Sequence, residues 1–202
     1  MVIHVLMAKL TRPKTKRGQA RRAQILSAAE KVIGKSGFST ASIADITREA
    51  NTALGTFYIY FSSKEEVFHE LVLEMGRTTR AMVAGAIAKT PDRLSAERAG
   101  LEAFLRFVTE RPALYRIVEE ARFVDPDAYR DYFNGFGAAY SAGLSEAEKR
   151  GEVSPGDPEI RAWALMGMAK ALGDRYVLWG DTPDITHVVD EAHKLICQGL
   201  QP

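Results

Sequence analysis

The chain has 202 residues and a mass of 22.3 kDa, and its 46% hydrophobic and 26% charged residues exclude a mostly disordered polypeptide. Its single cysteine, Cys197, excludes a disulfide framework or a Cys-rich zinc cluster and suits a reducing compartment. The net charge of +1 conceals a division, since residues 1–65 hold eleven Lys and Arg against four Asp and Glu, while the remaining 137 carry 16 against 22.

A basic end on an acidic body points to an end that meets a polyanion; the alternative is a solvated basic arm. Met1–Ala8 is not a signal sequence: its apolar run is short, it carries His4, and the basic residues follow it. A start of translation at Met7 is the plainer expectation. Residues 1–17 are expected to be a flexible basic arm. From Lys9 to Arg22 there are seven basic residues and no acidic one, which suits tracking phosphates or entering a minor groove, or else only steering association.

Beyond the arm, strand signals are scarce and helical spacing recurs. Ile25, Ala29, Val32 and Ile33 share a stripe, as do Phe104, Phe107 and Val108, and then Tyr132, Phe133 and Phe136. Prolines mark the joints, several after a capping residue: Asp125-Pro126, Asp157-Pro158 and Thr182-Pro183. The pattern predicts helices at about 19–36, 43–50, 54–60, 63–89, 93–110, 112–123, 126–150, 157–179 and 184–199. The fold class is all-α. The longest apolar runs, Ala81–Ala88 and Ala162–Ala169, fall far short of the roughly 20 residues of a membrane span, so a cytoplasmic protein is expected.

The stretch from Gly37 to Glu66 reads as two short helices joined by a tight turn. Ser42 with Asp45 approximates a capping box, and Ile43, Ile46 and Ala50 face inward. Asn51 takes a turn position that calls for a left-handed residue. Leu54, Phe57 and Phe61 are available to anchor the second helix, and Ser62 or Ser63 caps the next, with Glu65 or Glu66 as its partner. This is the spacing of a helix-turn-helix. Thr52, Ala53, Gly55 and Thr56 place small and hydrogen-bonding groups at the end from which a recognition helix reads base edges.

The run Gly55-Thr56-Phe57-Tyr58-x-Tyr60-Phe61-x-Ser63-Lys64, with Gly37-Phe38-x-x-Ala41-Ser42-Ile43-x-x-Ile46 upstream, resembles the TetR family of bacterial transcriptional regulators. The likeness spans about residues 21–71. It implies a three-helix DNA-binding unit at 18–65, a helical effector-binding and dimerisation body at 66–202, and a homodimer whose body binds a small effector. It also implies that Ser42 caps its helix and touches phosphate, that Thr56 and Tyr58 face DNA, that Tyr60 lies at or near the DNA backbone, and that Lys64 pairs with a phosphate. Phe57 and Phe61 become core. The sequence departs from the family at Thr52 and Ala53, where an apolar residue and then a serine are usual. Leu54 is an unusual groove-facing residue, suited to a thymine methyl.

Twelve aromatic residues fall in the body helices, among them Phe104, Phe107, Tyr115, Phe123, Tyr132, Phe136, Trp163 and Tyr176, together with Tyr129, Phe133, Tyr140 and Trp179. They suggest an elongated apolar cavity between helices 93–110, 112–123, 126–150 and 157–179. Arg116, Arg122 and Arg175 either pair with Glu119, Glu120 or Asp174 on the surface or anchor an anionic head group. Pro112–Tyr132 and Trp163–Trp179 resemble TetR-type regulators that sense acyl-CoA thioesters, so an acyl-CoA or an aromatic compound is the expected effector. The last two helices carry small residues at helical spacing (Ala164, Gly167, Met168, Ala171) and an apolar stripe (Val188, Val189, Ala192, Leu195, Ile196), which suit a four-helix dimer interface or packing within one subunit. Cys197 is expected to be a packed hydrophobe rather than a sensor.

Enzyme chemistry has little support. There is no HExxH pair, no Gly-rich phosphate loop and no GxSxG elbow, and neither a metal nor a cofactor is expected. The expectation is therefore a homodimeric repressor on a pseudo-palindromic DNA operator, released by a small hydrophobic or acyl-CoA-like effector. Its rivals are a regulator of the same fold controlled by a protein partner and a helical acyl-thioester enzyme.

Overall fold

A computed structural model describes Pro13, residues 15–180 and residues 184–201. Among these residues there are nine α-helices and no strand. They are α1 (Lys16–Ser36), α2 (Ile43–Glu49), α3 (Leu54–Tyr60), α4 (Lys64–Ile87), α5 (Arg93–Glu110), α6 (Pro112–Val124), α7 (Pro126–Lys149), α8 (Pro158–Gly173) and α9 (Ile185–Leu200).

Most boundaries lie where the sequence puts a capping residue. Asp125 accepts from the Ala128 N–H at 3.0 Å, and Asp157 from the N–H groups of Glu159 and Ile160 at 2.9 and 3.0 Å. Two boundaries differ from the expected ones by more than two residues. The first helix begins at Lys16, because Thr15 Oγ1 accepts from the Gly18 N–H at 3.1 Å. Lys16 and Arg17 are thus first-turn residues rather than arm. Residues 1–12 and 14, with the expected arm and the alternative start at Met7, lie outside the described residues. The predicted helix 157–179 is regular only to Gly173 and continues as a wider π-helical turn over Asp174–Leu178. The turn widens where Asp174 is held by the Tyr115 hydroxyl at 3.0 Å and by Lys170 at 2.8 Å. Thr182-Pro183 lies outside the described residues, and Asp184 caps α9 instead.

The main core starts among α1–α3, where Ile25, Ile33, Ile46, Phe57 and Phe61 are fully buried, and runs along α4 through Phe68, Val72 and Met75 to Val108, Ile117 and Tyr132. The helix α4 therefore belongs to both regions, and a division at 65/66 falls in its first turn. The helices α1 and α6 meet closely: a Cβ on Gly34 would stand 2.7 Å from that of Ala113. Smaller clusters join α5 to α9 (Leu101, Leu105, Val189) and the end of α7 to α9 (Ala147, Val153, Ile196). No helix among the described residues is long and apolar enough to cross a membrane.

Candidate functional site

The helix-turn-helix is built by local chemistry. The capping box is complete: the Asp45 N–H donates to Ser42 Oγ at 3.1 Å, and the Ser42 N–H to Asp45 Oδ2 at 3.2 Å. The Ser42 hydroxyl also holds the Asp45 carboxyl below its ordinary range. Asn51 takes the turn with φ of 45°, in the left-handed region. The Gln24 amide reaches across from α1 to the Ala50 carbonyl at 2.7 Å and fixes the turn to its support. Ala53 offers no side-chain cap to α3, a consequence of the missing serine. Ser63 caps α4 with the Glu66 N–H at 3.1 Å, and Glu66 reaches back to the Ser62 N–H at 2.6 Å.

The α3 helix turns two faces in opposite directions. Phe57 is fully buried against Phe61, whereas Ala53, Leu54, Gly55 and Tyr58 are exposed. Thr52, Thr56 and Tyr60 are half-buried, Tyr60 packing against the core. Nothing lies within 4 Å of the position a Cβ would take on Gly55, so a groove can approach the backbone there. Ile59 is also exposed, at 65%, and the sequence reading passed over it; its place two residues after Phe57 was the available signal. Arg48 is exposed and paired with Asp45.

Lys64, expected to pair with a phosphate, also has a structural task within the protein. Its ammonium donates to the Phe38 and Ala41 carbonyls at 2.6 and 2.7 Å and stands 4.2 Å from the centre of the Phe38 ring. It pins the α1–α2 loop to α4, which leaves one of its three protons for a phosphate. The same loop is held from the body. Glu120 on α6 accepts the Phe38 N–H with both carboxylate oxygens, at 2.8 and 2.9 Å. The Arg111–Glu30 (2.6 Å) and His69–Asp125 (2.7 Å) contacts flank this joint.

The body holds a partly open cavity of about 270 Å³. Its wall includes Phe104 from α5, Tyr115 from α6, and Tyr132, Phe133, Phe136 and Tyr140 from α7, with Leu165, Met166 and Met168 from α8. The α4 helix supplies a further side, Val83, Ala84 and Ile87, which the sequence reading left out although the apolar run 81–88 marked it. The charged groups of the wall are Arg80, Arg93, Glu97 and Lys170, none of them among the expected arginines. Arg93 and Glu97 stand four residues apart on α5, a spacing that predicts their 2.6 Å pair. Glu97 is buried and also accepts from the Tyr140 hydroxyl. Burial and then the Glu97 charge hold the Tyr140 hydroxyl well above the usual tyrosine range. Burial pushes Tyr132 up to about 12, and burial followed by the Asp174 and Glu119 charges raises Tyr115. These phenols thus remain protonated, and those of Tyr115 and Tyr140 donate to Asp174 and Glu97.

The sequence profile of the bacterial regulatory proteins of the tetR family matches residues 25–71, the stretch from α1 into α4 that carries this reading head. Over this stretch the chain belongs to the TetR family. It is similar to the HTH-type transcriptional regulator EthR of Mycolicibacterium smegmatis, 29% identical over 142 residues, which is 68% of this chain and 65% of that protein. It is also similar to YdgC of Bacillus subtilis, an HTH-type transcriptional regulator 25% identical over 191 residues, or 92% and 95% of the two chains. Its fold matches that of the regulator FadR from Bacillus subtilis in complex with stearoyl-CoA, with a TM-score of 0.78 at 21% identity over 88% and 98% of the chains. The protein is a TetR-family DNA-binding transcriptional regulator.

Within this TetR regulator, several aromatic and basic residues expected at the cavity stand elsewhere. Phe107 is buried in the main core and is not part of the cavity wall. Tyr176 packs on the α5–α9 cluster, because the π turn rotates it out of the α8 register. Phe123 is 82% exposed at the end of α6, with the Arg122 guanidinium 5.9 Å from its ring centre. Arg116 and Arg175 are exposed, and the latter stacks near Tyr176 at 5.3 Å. Trp163 lines a second, slightly more open groove between α7 and α8, together with Tyr129, Arg130 and Met166. On the outer side of α8, Ile160, Trp163, Ala164, Gly167 and Ala171 form one exposed stripe, beside exposed Leu195 on α9.

Proposed function

We propose that this regulator is a homodimeric repressor that leaves a pseudo-palindromic operator when a small hydrophobic or acyl-chain-bearing molecule fills the cavity. In this reading Ser42, Thr52, Ala53, Leu54, Gly55, Thr56, Tyr58, Tyr60 and the free proton of Lys64 form the DNA-facing set, with Ile59 added. Two copies pair through α8 and α9, burying the stripe from Ile160 to Ala171 together with Leu195. Such a dimer presents two recognition helices about 34–36 Å apart, one helical turn of DNA. A preformed, mostly apolar cavity with few polar groups is the usual form of a small-molecule site, which favours a small effector over a protein partner. The stearoyl-CoA bound by the structurally similar FadR supports an acyl chain as the apolar part.

The observation that carries this reading is the course of α6. Tyr115 lines the cavity, and five residues later Glu120 holds the Phe38 N–H in the loop before α2. A ligand that displaces Tyr115 therefore moves a group fastened to the reading head, and it shifts the equilibrium by its differential affinity for the two states. The test combines a thermal-shift screen of fatty acids, aryl acids, their CoA thioesters and neutral aromatics with gel shifts on an operator selected from random duplex DNA. An effector at 100 times its dissociation constant stabilises the fold by about 2.7 kcal/mol and also releases DNA. Stabilisation without release by every binder contradicts the coupling.

A further inference from the structure

The cavity wall has one charge left over. Arg93 and Glu97 neutralise each other, and Lys170 meets Glu119 and Asp174, each at 2.8 Å. Arg80 lines the same cavity and has no ion-pair or hydrogen-bond partner among the described residues. It is nevertheless held in place. A Cβ on Gly135 would stand 2.8 Å from Arg80 Nη1, and one on Gly76 would stand 3.1 Å from the same nitrogen. The guanidinium thus occupies a notch between α4 and α7 that glycines keep open, and its Cζ lies 5.5 Å from the centre of the Phe136 ring. Two turns further along α7 the arrangement recurs, where Gly143 faces Arg93 Nη1. There the Glu97 carboxylate supplies the negative partner at 2.6 Å. No side chain of the described residues does so for Arg80.

A guanidinium among aromatic walls is costly to desolvate until an anion meets it. Its planar fork matches a carboxylate bidentately. Apart from the paired Arg93, Glu97 and Lys170, the rest of the wall is aliphatic and aromatic, and its 270 Å³ lies near the lower end of the roughly 300–1,000 Å³ of small-molecule pockets, which suits a medium-length chain rather than a long one.

Resting on the effector reading above, we propose that the cavity takes a free medium-chain or arylalkyl carboxylate, with the carboxylate on Arg80 and the tail along α4, α5 and α7. A thioester carries no charge at that position.

Calorimetric titration of the full-length protein with octanoate, 1-octanol and octanoyl-CoA, on the wild type, Arg80→Gln and Arg80→Lys, tests this. Octanoate is expected to bind the wild type at least about tenfold more tightly than octanol, equivalent to ~1.4 kcal/mol. Arg80→Gln is expected to erase that gap while leaving octanol binding and the ligand-free unfolding temperature unchanged. Arg80→Lys keeps the charge without the fork and is expected to fall between. Equal affinities for octanoate and octanol in the wild type overturn the assignment of Arg80 but leave an apolar-chain site. So does a gap that survives Arg80→Gln, or octanoyl-CoA binding more tightly than octanoate and indifferently to Arg80. Failure of all three compounds to bind overturns the effector reading itself. If Arg80→Gln does not fold, the wild-type preference and the Arg80→Lys titration still decide.

Discussion

Around Phe57 and Phe61 the N-terminal helices close on a core of fully buried side chains, whereas α4 to α8 stand apart around a cavity of about 270 Å³. The difference follows from what fixes each region. In the reading head, specific bonds and turn geometry fix the loops: the Ser42–Asp45 box, Asn51 in the left-handed region, and Lys64 reaching back from α4 to two carbonyls. In the body, long helices meet through large aromatic side chains whose rings line a space rather than fill it. A surface that must match a groove needs the first solution, and a chamber that answers to a ligand needs the second.

Substitution on the two faces of α3 gives the largest test of this contrast. Phe57→Ala is expected to cost about 3–5 kcal/mol of stability, read in chemical denaturation. Tyr58→Ala, one residue on but exposed, is expected to stay within about 0.5 kcal/mol of the wild type while weakening operator binding. Equal losses from both would mean that the two faces are not distinct.

In the body the next largest effect comes from filling the chamber. Ala96→Phe, from the cavity wall, is expected to remove the roughly 2.7 kcal/mol that a saturating effector confers and to leave DNA binding intact. Thermal shift with and without effector reads it, and undiminished stabilisation would place the ligand elsewhere. Back in the reading head, Lys64→Met strands two carbonyls and is expected to cost about 1–3 kcal/mol. A loss of DNA affinity with no loss of stability would instead make phosphate contact its main role.

High pH sharpens the comparison further, because the body buries its phenols. Tyr132 is raised from 10.0 to about 12, so its contribution is complete below pH 10 and is lost as the pH climbs towards 12. Tyr115 and Tyr140 act in the same direction. The unfolding temperature is expected to fall from pH 10 upward, less steeply in Tyr132→Phe, and an identical slope in the variant would contradict the cause given. The smallest effect is expected at Phe123, exposed on α6: Phe123→Ser should alter stability by no more than about 0.5 kcal/mol and leave effector binding unchanged in the same titration.

Much of this was legible in the sequence, and for a physical reason. Helix limits follow caps and prolines that act within four residues, so Asp125, Asp157, Ser42 and Ser63 announce themselves. The aromatic excess in the body signalled a chamber, and Phe104, Tyr115, Tyr132 and Phe136 do line it. Which other side chains line it depends on helix rotation and on packing across the chain. Phe123 and Phe107 could not be told apart from these four by composition, and the π turn that turns Tyr176 away leaves no local mark. Arg80 was hidden for the same reason, since its notch is formed by Gly76 on its own helix and Gly135 on another.

The coupling of chamber to reading head is most directly tested by measuring operator affinity, by fluorescence anisotropy, with the cavity empty and with it saturated by an effector found in the thermal-shift screen. The wild type is expected to lose DNA affinity by about tenfold or more, a coupling of ~1.4 kcal/mol, and Glu120→Ala, which unfastens Phe38 from α6, to lose much less. An operator affinity that stays the same while the cavity is demonstrably full would contradict the coupling outright.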